Sequence, residues 1–189
     1  MPPAQFARTL CLFALLATPS SADEATSPHF LVNGYPLGDA RTHLDASETR
    51  AYRRALAAFP TAAACLKDGS DPATATLNLE AFSNLEELEV CLFLTADTLR
   101  DLEGMRALLE RSGFGYLDNS PHPMSHQQMN FYGAEGDGLM LNGIIPSPSL
   151  PSLGFGLTRF IWGDKHIGIG IVLGQHHQPV SVSANLNVL

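Results

Sequence analysis

The chain has 189 residues and a formal net charge of −8, with 11 Lys and Arg against 19 Asp and Glu. So few cations leave no electrostatic footprint for nucleic acid, and the same acidity argues against anionic lipid surfaces. Beyond the N-terminus no stretch is long and apolar enough to cross a bilayer as a helix.

The first 22 residues read as a signal peptide. Arg8 supplies a positive start, Thr9 to Ala17 ("TLCLFALLA") an apolar run, and Ser20 and Ala22 the small residues of a cleavage site. Cys11 lies inside the apolar run without the small residues that precede a lipidated cysteine, so the expected product is free, in the periplasm or outside the cell. Cleavage leaves residues 23–189, enough for one domain with its own core, and no stable membrane insertion is expected afterwards. In an oxidising compartment the two remaining cysteines, Cys65 and Cys91, are expected to form a disulfide. Closing that loop stabilises the fold by on the order of 3 kcal/mol in the chain-entropy view. Two buried thiols are the alternative.

Residues 23–44 read as an extended lead-in, broken by Pro28, Gly34, Pro36 and Gly38, with Phe30, Leu31, Val32 and Tyr35 apolar enough to lie on the domain. A single α+β domain is expected over 45–189. Asp45 and Glu48 form a capping-box pattern, and Tyr52, Ala55, Leu56 and Phe59 make one helical stripe that ends at Pro60. Thr61 to Lys67 suits a second short helix. Thr76 to Glu80 alternates like a strand. Leu88 to Leu94 ("LEVCLFL") is apolar on both faces, as an interior strand is. Glu86, Glu87 and Glu89 read as the polar start of that strand. Thr95 then caps a helix through Ser112, with Leu99, Leu102, Met105, Leu108 and Leu109 on its buried face and Gly113 as its left-handed stop. A short strand could follow at Phe114–Leu117.

Asp118 to Asn130 ("DNSPHPMSHQQMN") reads as a long irregular loop, and such loops are either functional or disordered. The C-terminal third reads as strands: 138–145, 155–162, 166–173 and 180–188, with short turns. In the third of these Gly168 and Gly170 share a face, which implies close approach of a neighbour; Phe160 or Trp162 is the expected cover. The fold class is therefore α+β: two or three helices packed on a mostly antiparallel sheet ending in a C-terminal β-meander.

The chemistry candidates are few. His176 and His177 in "GQHHQP" supply too few ligands for a zinc centre and read as a solvated turn. His122, Met124, His126 and Met129 mix imidazole and thioether in the irregular loop, a donor set that suits copper. "GAEGDG" (133–138) has too few acids for a calcium loop and reads as a tight turn. No metalloprotease, nucleophile-elbow or phosphate-loop pattern occurs. Three functions remain open: a non-enzymatic binding role for an envelope protein or small ligand at the 118–135 loop, soft-metal (copper) binding through residues 122–129, and a hydrolase without a recognisable motif.

Overall fold

A computed structural model describes residues 29–67, 71–115, 117, 121–146 and 165–188. The expected signal peptide, the first part of the lead-in, Asp118–Ser120, and the expected strand at 155–162 with Phe160 and Trp162 lie outside these residues.

The lead-in folds as a small hairpin, β1 (Leu31–Val32) against β2 (Tyr35–Pro36), followed by a 3-10 turn at Ala40–Thr42. Phe30 anchors it in the core, its ring 5.4 Å from that of Tyr52 and 5.1 Å from that of Phe93. Helix α1 spans Ala46–Ala58 and begins as its sequence dictates. The Asp45 carboxylate accepts from the Ser47 and Glu48 amides, and Glu48 accepts in return from the Asp45 amide. Ala55 and Phe59 on its stripe are buried.

Leu88–Leu94 is not a strand. Helix α2 runs over Leu85–Leu99, capped by the Asn84 side chain on the Glu87 amide at 2.9 Å. Leu88 to Ala96 are buried without a gap, because α2 lies between the strand Pro179–Val188 of the main sheet on one side and α1, the helix Leu102–Arg111 and the Ala62–Cys65 turn on the other. A helix enclosed on all sides carries no polar stripe, so its sequence resembles that of an interior strand. Thr95 does not cap a helix either. Its hydroxyl donates back to the carbonyls of Cys91 and Leu92 inside α2. The chain breaks instead at Arg100, which adopts a left-handed conformation (φ 46°), and α3 (Leu102–Arg111) starts at the Asp101 cap. The buried face of α3, with Leu102, Met105, Leu108 and Leu109, is the expected one.

The alternating stretch 76–80 forms only a brief antiparallel contact. Leu77 bridges Leu66, and a 3-10 turn follows at Leu79–Ala81. A disulfide joins Cys65 to Cys91, with Cα atoms 5.4 Å apart, and ties this irregular segment to the middle of α2.

The main sheet is antiparallel, in the order β3-β4-β5-β6: β3 (His122–Met124), β4 (Gly138–Pro146), β5 (Lys165–Leu173) and β6 (Pro179–Val188). The expected long loop thus contains β3 and a short helix, α4 (His126–Phe131), whose Gln128 side chain accepts from the Ser125 amide at 2.8 Å. β4 pairs directly with β5, from Leu139 opposite Leu173 to Pro146 opposite His166. Leu141 and Ile145, Ile167, Ile169 and Ile171, and Val182 and Ala184 turn one face of the sheet to the helices. The other face is covered at one end by α4. There Met124, Met129, Val172 and Val180 form a second, smaller apolar cluster. On this face a Cβ at Gly170 would come within 3.1 Å of the Met140 methyl and 3.2 Å of the Ser183 hydroxyl oxygen.

Candidate functional site

Four stretches distant in sequence meet where β5 turns into β6, and they bound a cleft of about 390 Å3. His29, Leu31 and Gly34 come from the first hairpin and the residue pair before it. Phe93 and Asp97, at the i, i+4 spacing that aligns side chains on a helix, come from the last two turns of α2, and Arg100 is the left-handed residue that ends it. Tyr132 to Glu135 come from the loop after α4, and Gly174 to Val180 from the turn between β5 and β6.

The walls are locked by backbone contacts. The Gly34 amide donates to the Val180 carbonyl at 3.0 Å. A Cβ added at Gly34 would fall 1.4 Å from the Tyr132 carbonyl oxygen, and one at Gly133 would fall 2.8 Å from the Tyr35 ring. Both residues also have positive φ, 80° and 62°, so only glycine fits this seam without strain. The loop is held at its far side by His126, whose Nδ1 accepts from the Gly136 amide at 3.1 Å.

The cleft mixes apolar and polar chemistry. Leu31, Phe93 and Val180 supply apolar surface, and Phe93 and Val180 are themselves buried. Asp97, Arg100, Glu135, Gln175 and Gln178 supply polar groups. Arg100 donates to the Asp97 carboxylate at 2.9 Å and to the Asp97 carbonyl at 3.1 Å. The two charges therefore cancel locally. Glu135 is exposed on the loop and makes no ion pair among the described residues.

The chain matches no known protein family, curated protein or solved structure. Its function must be read from geometry alone.

The residues singled out in the sequence fall into two environments. Met124 and Met129 are buried together with Val172 and Val180, and Met129 reaches across Gly138. His122 and His126 are exposed. Among the described residues no group of three or more His, Cys, Asp or Glu is placed to hold a metal ion. "GQHHQP" is a 3-10 turn at Gln175–His177 in which His176 and His177 both take positive φ. It is the flanking glutamines, Gln175 and Gln178, that line the cleft together with Gly174 and Pro179. "GAEGDG" joins α4 to β4 rather than two strands, and it forms one wall.

Glu89 was hidden by the strand reading of its segment. It is buried on α2, where one carboxylate oxygen accepts the Tyr52 hydroxyl of α1 and the other accepts the Ala184 amide of β6 at 2.6 Å. Burial pushes its carboxyl up to about 7 against the pull of these two hydrogen bonds, and the nearby Glu86 adds to the rise. Burial, and then the Glu89 charge, likewise raises the Tyr52 phenol. The Ala184 amide lies on the side of β6 turned away from β5, so Glu89 satisfies the outer edge of the sheet.

Proposed function

We propose that this chain is an exported, single-domain binding protein that holds a small ligand in the cleft between α2, the 132–135 loop and the 174–180 turn. The observation that carries this reading is the cleft itself: apolar surface and convergent polar groups, on walls pre-set by the Gly34–Tyr132 and Gly34–Val180 contacts. Its volume lies in the range of small-molecule sites, and a lining that exposes slightly more polar than apolar surface suits a polar or amphipathic ligand. Pre-set walls lower the ordering cost of binding.

A binding role is favoured over catalysis by the chemistry of the lining. His29, Tyr132 and Glu135 line it, but no Ser, Thr or Cys nucleophile does, and the Asp97 carboxylate is engaged by Arg100. Glu89, the carboxyl pushed up to about 7, does not line it. The disulfide suits an oxidising compartment, and no helix among the described residues is long and apolar enough to cross a membrane. The disulfide supports export.

The test is a thermal-shift screen of small polar and amphipathic compounds against residues 23–189 and against Gln178→Trp, which fills the cleft from an exposed turn. Compounds that raise the Tm of the first are expected to leave the variant unmoved. Equal shifts on both proteins would remove the cleft from the account.

A further inference from the structure

We infer that the ligand of this cleft is a small amphipathic cation, an ammonium group carried on an apolar body. The inference rests on the cleft being the binding site and adds the charge of its occupant. Three observations carry it. First, the Arg100 guanidinium is committed to Asp97 and leaves no net positive charge for an anion. Second, Glu135 stands in the same lining with no cation paired to it among the described residues. Third, the wall formed by Phe93, Asp97 and Arg100 is the C-terminal end of the 15-residue α2, the end at which a helix carries its partial negative charge. With His29 and Tyr132 as the other titratable residues of the lining, the surplus of fixed charge is one carboxylate plus a negative helix terminus, set beside the apolar surface of Leu31, Phe93 and Val180.

This arrangement separates the two ends of a ligand. An ammonium is favoured near Glu135 and the α2 terminus, and a hydrocarbon or aromatic body is favoured over Phe93 and Val180. A carboxylate of the same shape meets like charge, and an alcohol gains only the apolar part. The primary amides of Gln175 and Gln178 can accept from an ammonium or donate to a hydroxyl, so they do not discriminate. Discrimination comes from Glu135 and from the neutralised Arg100.

The experiment titrates three matched probes, phenethylamine, 2-phenylethanol and 3-phenylpropionate, into 15N-labelled residues 23–189 and follows the amides of Gly34, Ala134 and Gly174. Phenethylamine is expected to bind roughly fivefold tighter than the alcohol, the size of one exposed charge interaction, and the propionate weakest. Raising NaCl from about 20 to about 500 mM should erase most of that preference. Glu135→Gln should remove the advantage of the amine while the alcohol binds as before. Asp97→Asn, which releases Arg100, should turn the preference towards the propionate. Alcohol or propionate binding at these amides as tightly as the amine would overturn the charge assignment and leave the cleft standing. No movement of these amides with any probe, in a protein whose spectrum is otherwise folded, would overturn both.

Discussion

Replacing Glu89 by Gln should make the protein more stable at alkaline pH than the natural chain, and the gain should vanish in acid. The amide keeps the shape of the carboxyl. Its oxygen can accept the Ala184 amide and its nitrogen can donate to the Tyr52 hydroxyl, so both hydrogen bonds of Glu89 have a counterpart. What is lost is the buried charge. The Glu89 carboxyl lies at about 7 in the fold against 4.5 ordinarily, chiefly because of burial. A carboxyl raised on folding binds its proton more tightly in the native state. Its contribution is therefore fully present below about pH 4.5 and is lost as pH climbs through about 7. At about 1.4 kcal/mol per unit the natural chain forfeits ~3 kcal/mol across that window, whereas the Gln variant forfeits none of it. For a chain of this size that corresponds to roughly 6–12 °C in Tm. Thermal and urea unfolding of both proteins from pH 4.5 to 8.5, read by circular dichroism, gives the difference directly, since every other titrating group is shared. A Tyr52→Phe control removes one of the bonds that favour the charged form, so it should cost more at pH 8 than at pH 5. A Gln variant less stable than the natural chain at pH 8, or a difference that does not change with pH, would refute the reasoning. Either outcome would mean that the two hydrogen bonds outweigh the burial of the charge.

Gly34→Ala should destabilise the fold by about 2 kcal/mol or more and weaken ligand binding, because its Cβ would overlap the Tyr132 carbonyl at a positive φ. Chemical denaturation reads the first effect and probe titration the second; a neutral result on both would show that the seam is not fixed. Removing the disulfide by Cys65→Ser with Cys91→Ser should cost about 3 kcal/mol, seen as a lower urea midpoint that reducing agent does not lower further. Met124→Leu conserves volume in an apolar cluster and should cost under about 1.5 kcal/mol. Cu(I) titration of the same variant against a competing chelator should match the natural chain, and a lost Cu(I) site would give Met124 a ligand role instead.

The fold was legible where local chemistry dominates. The Asp45–Glu48 box, the α1 stripe, the buried face of α3 and the alternation of β6 can all be read from spacing, because each element has one face in water and one in the core. The reading failed where an element is enclosed. Leu88–Leu94 has no polar face because β6 and the helical layer both cover it, and a short apolar run such as Val90–Leu94 does not distinguish a helix from a strand. The α2–α3 boundary was equally invisible, since the left-handed residue there is Arg100 rather than a glycine. The prolines of Asp118–Asn130 suggest an irregular loop, although Ser125 and Gln128 carry the spacing of a helix start. The cleft itself left little trace. It is assembled from segments near 30, 95, 133 and 177, and no spacing rule joins them. In retrospect the glycines at 34 and 133 were its signal, since each marks a place where another backbone or ring comes too close for a side chain. Glu89 was hidden for the same reason as α2: an acid in an apolar run looks like a strand end until the run is seen to be a buried helix.

The most direct test of a binding role is a fragment screen by amide chemical-shift mapping on residues 23–189 with the disulfide intact. Perturbed amides are expected to gather at Gly34, Gly133–Glu135 and Gly174–Gln178 across chemically diverse hits. Hits that gather instead on the opposite face of the sheet, around Asn142, Gly170 and Ser183, or that scatter over the surface, would contradict the account.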